Sequence, residues 1–237
     1  MFQNKKVIIF DMDGTLIDSI GMWNQVDQKL IWKLGEQFLS EEDVQKQRDE
    51  KLREYSKAES PYHEYCSYLG EKYGFSMTAE EIHTLRYQIA KEMQIRDIDY
   101  KPHAEELIRK LKGKGYTLTI GTTTRKENMD IYRYENKNLK EKAPLDEYFS
   151  LIYTREDVKE MKPSPEVYEK ILKVLQVKPE ECLVFEDSLI GIEAANNANI
   201  DVVAMYDKYS DRERDEINKR ATYCRRTYQE ILDGDLL

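Results

Sequence analysis

Val7-Ile8-Ile9-Phe10-Asp11-Met12-Asp13-Gly14-Thr15 is the stretch that decides the fold of this chain. Its first four residues form a short, β-branched apolar run, which reads as a buried strand. Asp11 stands where that strand ends, and Gly14 lets the chain turn sharply. In open parallel sheets the carboxyl ends of the strands are where ligands bind. A carboxylate placed there can attack phosphorus or hold a cation, and a second carboxylate two residues on can act as acid and base. A strand followed by an idle acidic turn would carry the same residues, because Asp and Gly both favour turns. The remainder of the chain separates these readings.

The length, 237 residues, suits one large domain or a core with an insert. Charged residues make up 35% against 40% hydrophobic, which predicts a soluble protein. A formal charge of −9 argues against a broad nucleic-acid footprint and against docking on an anionic membrane, while leaving small anionic substrates open. No stretch approaches the roughly 20 apolar residues of a membrane span. Met1 to Lys6 runs straight into the first strand, so no signal peptide is expected. Cys66, Cys182 and Cys224 are odd in number and scattered, which offers neither a disulfide framework nor a zinc pattern. A cytoplasmic monomer is the expectation.

Outward from the opening strand, the chain divides by pattern. From Ser19 to Met93 it reads as charged helices. Ser19 would cap a helix through Leu34, stopped by Gly35; Ser40 would cap a second; Ser60-Pro61 would open a third that ends at Gly74; Thr78 and Glu81 form a capping box for a fourth. Arg48 and Arg53 lie on the charged second helix and are read as facing water. From Pro102 onward, helices alternate with strands at 116–121, 149–153, 182–185 and 201–205, the last clear one. Such alternation implies a parallel sheet with helices on both faces. The expected organisation is therefore an α/β core at 1–18 and 95–237, with a helical domain inserted at 19–94.

Several strand ends carry matching chemistry. Thr122-Thr123-Thr124-Arg125 follows a strand, where hydroxyls and backbone N–H groups can hold a phosphate, although threonines there also serve as ordinary caps. Lys162-Pro163 precedes a helix and, alone, would be an ordinary surface lysine. Leu183-Val184-Phe185 ends in Glu186-Asp187-Ser188, which could equally be a charged loop with an N-cap. The set outweighs its members. Asp11, Asp13, Glu186 and Asp187 would place four carboxylates near one another, and a phosphate dianion beside them would be strongly repelled in a partly desolvated cleft. One lysine cannot balance that charge. A hard divalent cation can, and Mg²⁺ binds through carboxylates plus substrate phosphate.

The ordered set Asp11-x-Asp13-Gly14-Thr15, Thr122, Lys162-Pro163 and Glu186-Asp187-Ser188-x-x-Gly191-Ile192 resembles the haloacid dehalogenase superfamily of phosphotransferases. Within it, the chain is similar to the β-phosphoglucomutase and phosphoglycolate phosphatase-like group, whose helical cap is inserted after the first strand. The resemblance implies a Rossmann-like, three-layer core and a catalytic assignment. Asp11 would be the nucleophile, forming an aspartyl-phosphate and touching Mg²⁺. Asp13 would protonate the leaving oxygen and then activate water, its backbone carbonyl binding the metal. Thr122 and the Thr123 backbone would hold phosphoryl oxygens. Lys162 would neutralise charge on the nucleophile and on the transferring phosphoryl group. Glu186 and Asp187 would complete the metal site, and Arg125 stands where related enzymes often contact substrate. The cap would close over the cleft as a lid.

Two departures bear on the substrate. The helix after Tyr100 opens Pro102-His103 where the family usually has Pro-Gly, so either an ordinary negative φ or a place at the site's edge is expected at His103, with a benign surface position favoured. The helical insert shows no counterpart of the Gly- and Arg-containing specificity loop of β-phosphoglucomutase. A phosphatase acting on a small phosphorylated metabolite is the leading reading. A sugar phosphomutase and a phosphate-ester-sensing regulatory protein are the alternatives.

Overall fold

The computed structural model describes residues 1–55 and 58–235. The chain forms two compact units: Met1–Ile20 with Ile98–Leu237, and Gly21–Asp97. The first is an α/β, Rossmann-like unit built on a six-stranded sheet. Its strands are β1 (Val7–Phe10), β2 (Thr117–Gly121), β3 (Phe149–Tyr153), β4 (Cys182–Glu186), β5 (Asp201–Met205) and β6 (Tyr223–Arg225). They run in the order β3-β2-β1-β4-β5-β6, and every pairing is parallel.

The apolar run that opens the chain explains its central place. β1 pairs with β2 on one side and β4 on the other, and all four of its residues are buried. Only a strand covered on both faces tolerates apolar side chains at every position. Val7 and Ile9 pack with Val184, Val202, Ile171, Ile192 and Ala195 on one face. Phe10, pointing the other way, stacks on Phe185 at 4.8 Å and meets Phe149 edge-on. Because the chain leaves β1 toward β2 on one side and reaches β4 on the other, the carboxyl end of β1 is a topological switch point, where a crevice opens.

The second unit is helical among its described residues: α1 (Met22–Gly35), α2 (Glu41–Glu54), α3 (Pro61–Tyr73) and α4 (Ala79–Arg96). Leu30, Ile31, Val44, Tyr65, Leu69 and Ile82 form its core. A polar knot lies beside that core. Asp27 is fully buried and accepts from Arg86 Nε at 2.6 Å, Tyr65 Oη at 3.2 Å and Arg48 Nη1 at 3.3 Å. The Arg86 guanidinium, also buried, sits 4.5 Å from the Trp23 ring. Several groups here share one charged pair, so removal of either partner strands the other in a dry interior.

Four local expectations need correction. Ser19 does not cap α1, which starts at Met22 behind Gly21; its hydroxyl goes to Asp13 instead. Arg48 does not face water but bonds Asp27 and Asn24; the side chain of Arg53 lies outside the described residues. His103 adopts φ 67, the left-handed conformation that its position before the helix Ala104–Gly113 demands, with its imidazole turned outward beside Glu106. β6 follows the strand read as the last one; its three half-polar residues carry too little apolar pattern to announce a strand, and its place at the sheet edge requires none.

Replacing Asp27 with Ala is expected to lower the unfolding free energy by about 3–5 kcal/mol, because the buried Arg86 charge loses its partner. An Asp27→Leu/Arg86→Met double variant should recover most of that loss. Urea unfolding of the three proteins checks both outcomes.

Candidate active site

Three chain segments far apart in sequence meet at the carboxyl end of β1. Asp11 leaves the strand with its N–H bonded to the Phe185 carbonyl at 3.0 Å, which ties it to β4. Lys162, 2% exposed at its side chain, donates to Asp11 Oδ1 at 2.7 Å and to Glu186 Oε1 at 2.6 Å. The ammonium therefore bridges the ends of β1 and β4. Its underside rests on the buried ring of Tyr168, 5.2 Å away.

Glu186 has no spare capacity. While Oε1 takes Lys162, Oε2 accepts from the Asp187 N–H, the Ser188 N–H and the Ser188 hydroxyl at 3.0–3.2 Å. The helix Leu189–Asn197 begins directly above, and only glycine fits at its first turn: a Cβ on Gly191 would lie 1.8 Å from Glu186 Oε1. Asp187 is the opposite case. Oδ1 accepts from the Thr15 hydroxyl at 2.7 Å, but Oδ2 is buried with no hydrogen-bond partner. Gly14, at φ 82, leaves the space beside that oxygen open; a Cβ there would stand 2.5 Å from it. Ligand atoms of Asp11, Glu186 and Asp187 lie within 4.8 Å of one another. An orphaned buried carboxylate oxygen costs free energy unless something satisfies it, and an all-oxygen set suits a hard cation.

These charges act on one another. Burial pushes the Asp11 carboxyl up to about 7, against the downward pull of Lys162 and with upward help from Glu186 and Asp13. Burial, then Glu186 and Asp11, push Asp187 the same way. Lys162 is held well above its ordinary range, because Asp11 and Glu186 outweigh the cost of its burial.

Asp13 is held by hydroxyls. Its Oδ1 accepts from the Ser19 hydroxyl and its Oδ2 from the Thr124 hydroxyl. Thr122, buried at the end of β2, has its hydroxyl 2.9 Å from that of Thr124. Thr123 and Arg125 are exposed, and among the described residues Arg125 makes no hydrogen bond or ion pair to the cluster. Sequence reading singled out Asp11, Asp13, Thr122, Lys162, Glu186 and Asp187, and the fold brings them to one end of the sheet. It missed Thr15, Ser19 and Thr124, the hydroxyls that orient the carboxylates. Their positions within or next to the quoted motifs were the available signal, but hydroxyl residues after a strand look like ordinary caps.

Charged side chains gathered where β1 and β4 end, with hydroxyls from the end of β2, lie at a topological switch point, the place where α/β enzymes bind their ligands. Residues 8–205 match the model of the haloacid dehalogenase-like hydrolases, and the chain belongs to that family. Relatives include the Arabidopsis thaliana bifunctional riboflavin kinase/FMN phosphatase, 27% identical over 198 residues, which span 84% of this chain and 48% of that one. YhcW of Bacillus subtilis (strain 168), which carries a provisional phosphatase name, is 31% identical over 206 residues, 86% of this chain and 84% of that one. A Thermotoga maritima crystal structure, provisionally a β-phosphoglucomutase, superposes with a TM-score of 0.76 at 24% identity; the match covers 96% of this chain and 97% of that one and speaks for the fold. The chain spans 48% and 65% of the first two curated relatives it matches, the second a glycerol-3-phosphatase.

A pH dependence follows from the raised carboxyls. Asp11 holds its proton more tightly folded, at about 7, than at its ordinary value of 3.8. Between those values the folded chain binds more protons than the unfolded one, so stability falls as pH rises. In chelated buffer the melting temperature should drop between about pH 5 and pH 8. Asp11→Asn should flatten that slope; an unchanged slope removes Asp11 as its source.

Proposed function

We propose that this protein is a Mg²⁺-dependent phosphatase that hydrolyses a small phosphorylated metabolite through an aspartyl-phosphate on Asp11. The observation that carries this reading is the pairing of Asp11 with the buried Lys162 ammonium at 2.7 Å, next to the unpartnered Asp187 Oδ2. The phosphatase names of its relatives support the same class.

Lys162 takes one oxygen of Asp11, and no donor among the described residues reaches the other. That second oxygen attacks phosphorus. The P–O bond to the leaving group breaks, and Asp13 supplies the proton the leaving oxygen needs. Thr122 and the Thr123 backbone hold phosphoryl oxygens during transfer, while Lys162 keeps its charge and offsets the negative charge that builds up. Water then attacks the acyl phosphate, Asp13 accepts its proton, and inorganic phosphate leaves. Asp11, Asp187 and the Asp13 backbone carbonyl would hold Mg²⁺, with Glu186 behind them adding its charge to the site while bonded to Lys162; the ion would supply electrostatic stabilisation of the phosphoryl oxygens. The helical unit acts as the cap domain inserted in the catalytic core, and Arg125 is a candidate contact for the leaving group.

Phosphate release from a panel of sugar phosphates, glycerol 3-phosphate, phosphoglycolate and nucleotides tests the reading. Release should require Mg²⁺ and fall by at least about 10³-fold in Asp11→Asn, which removes the nucleophile with almost no change of shape. Wild-type rates in that variant or in EDTA overturn it. Isomerisation of a β-sugar 1-phosphate without release would favour a mutase. In the folded protein, Mg²⁺ should raise the melting temperature, and Asp187→Asn should abolish the rise.

A further inference from the structure

Thr124 has no assigned part in the chemistry above, yet it links two groups that do. Its side chain is nearly buried, with 8% of the residue exposed. Its hydroxyl meets Asp13 Oδ2 on one side and the Thr122 hydroxyl, 2.9 Å away, on the other. Its backbone N–H also donates to Thr122 Oγ at 3.1 Å. We propose that Thr124 is a positioning residue, whose hydroxyl holds the Asp13 carboxylate in the orientation for proton transfer and couples it to the phosphoryl-binding hydroxyl of Thr122. The proposal rests on the phosphatase reading.

The argument is a count of protons and lone pairs. A hydroxyl has one hydrogen to give and two lone pairs to receive with, whereas an ionised carboxylate only receives. When Asp13 is ionised, Thr124 must give its hydrogen to Asp13. Across the contact to Thr122, the donor is then the Thr122 hydroxyl. Thr122 Oγ also accepts from the Thr124 N–H, so the two threonines fix each other's positions. With Thr124 on Oδ2 and Ser19 on Oδ1, each oxygen of Asp13 keeps a further lone pair, so a proton on Asp13 can face the leaving oxygen while both hydroxyl contacts stay in place.

One set of heavy-atom positions thus serves Asp13 as acceptor and as donor. Ester hydrolysis in two steps demands both roles of the same carboxyl, first as acid and then as base. Ser19 anchors the other carboxylate oxygen but, among the described residues, bonds no phosphoryl-binding group, so the link to Thr122 runs through Thr124. Threonine also suits the post better than a freer side chain, because β-branching restricts its χ1.

Valine keeps the shape of threonine without the hydroxyl, and serine keeps the hydroxyl without the branch. The test compares Thr124→Val, Thr124→Ser and Asp13→Asn on two probes in Mg²⁺ buffer: glycerol 3-phosphate, whose alkoxide must be protonated to leave, and 4-nitrophenyl phosphate, whose leaving group needs little help. For Thr124→Val, kcat/KM on glycerol 3-phosphate, which reports the transfer to Asp11 and not the hydrolysis step both probes share, should fall about 10–100-fold, part of the roughly 10²–10⁴-fold that general acid–base catalysis supplies, with the loss in kcat rather than in KM. On 4-nitrophenyl phosphate the loss should stay within about threefold, and Thr124→Ser should restore most of the rate on both. Equal losses on the two probes, a change confined to KM, or wild-type turnover of the alkyl ester overturns the proposal. If Asp13→Asn is inactive on glycerol 3-phosphate while Thr124→Val is not impaired, only the role of Thr124 fails; if Asp13→Asn retains wild-type turnover, the acid/base reading itself fails. A crystal structure of Thr124→Val adds a readout independent of any substrate: the carboxylate of Asp13 should leave its present rotamer, and an unchanged rotamer overturns the proposal.

Discussion

One ammonium group organises the site. Lys162 reaches Asp11 on β1 and Glu186 on β4 at once, and all three side chains are buried. Taking such groups out of water is costly unless each is paired and its remaining hydrogen-bonding capacity is met. The surrounding structure can be read as the set of conditions that meets this demand. Tyr168 lies under the ammonium. Two backbone N–H groups and the Ser188 hydroxyl saturate the far side of Glu186. Gly191 leaves the space the Glu186 carboxylate occupies, at the start of a helix that could not otherwise come so close.

The balance is deliberately incomplete on the other side. Two carboxylates share the lysine, and Asp187 brings a further one with an oxygen that nothing satisfies. Burial and mutual repulsion drive Asp11 and Asp187 toward their protonated forms. A hard cation in that position relieves both the repulsion and the orphaned oxygen, so the same imbalance that lowers stability favours binding. Asp13 adds to that upward push on Asp11, yet its own two carboxylate oxygens are each held by a hydroxyl, Ser19 on one and Thr124 on the other.

The helical unit follows the same physics without the imbalance. Asp27 has a donor on both carboxylate oxygens, and aromatic rings cover the Arg86 guanidinium that serves it. This knot was not legible in the sequence. Asp27 reads as one more acid on a charged helix, and Arg86 lies 59 residues away. The capping signals were legible, since capping is local: Thr78 and Glu81 close their box and Ser40 caps α2. Ser60 stands at the N-cap of α3 without a side-chain cap bond, and Ser19 is no cap, because α1 starts at Met22 with Gly21 in the N-cap position while the Ser19 hydroxyl donates to Asp13. His103 misled for a related reason: the backbone of the following helix set its φ, and an outward imidazole let the residue comply.

By itself, the sequence determined what depends on short range. The all-apolar run from Val7 to Phe10 specified a central strand, because only a strand buried on both faces can carry it. The alternation after Pro102 specified a parallel sheet, and parallel strands place their carboxyl ends, with Asp11, Thr122 and Glu186, on one edge. Tertiary structure alone decided how those groups share their protons and charges. That Lys162 bridges two carboxylates, that Glu186 is saturated while Asp187 is not, and that Thr124 joins Thr122 to Asp13 are facts of ångström-scale geometry. Hydrogen bonds and buried ion pairs depend on distance and direction, and neither is written in the spacing of residues along a chain.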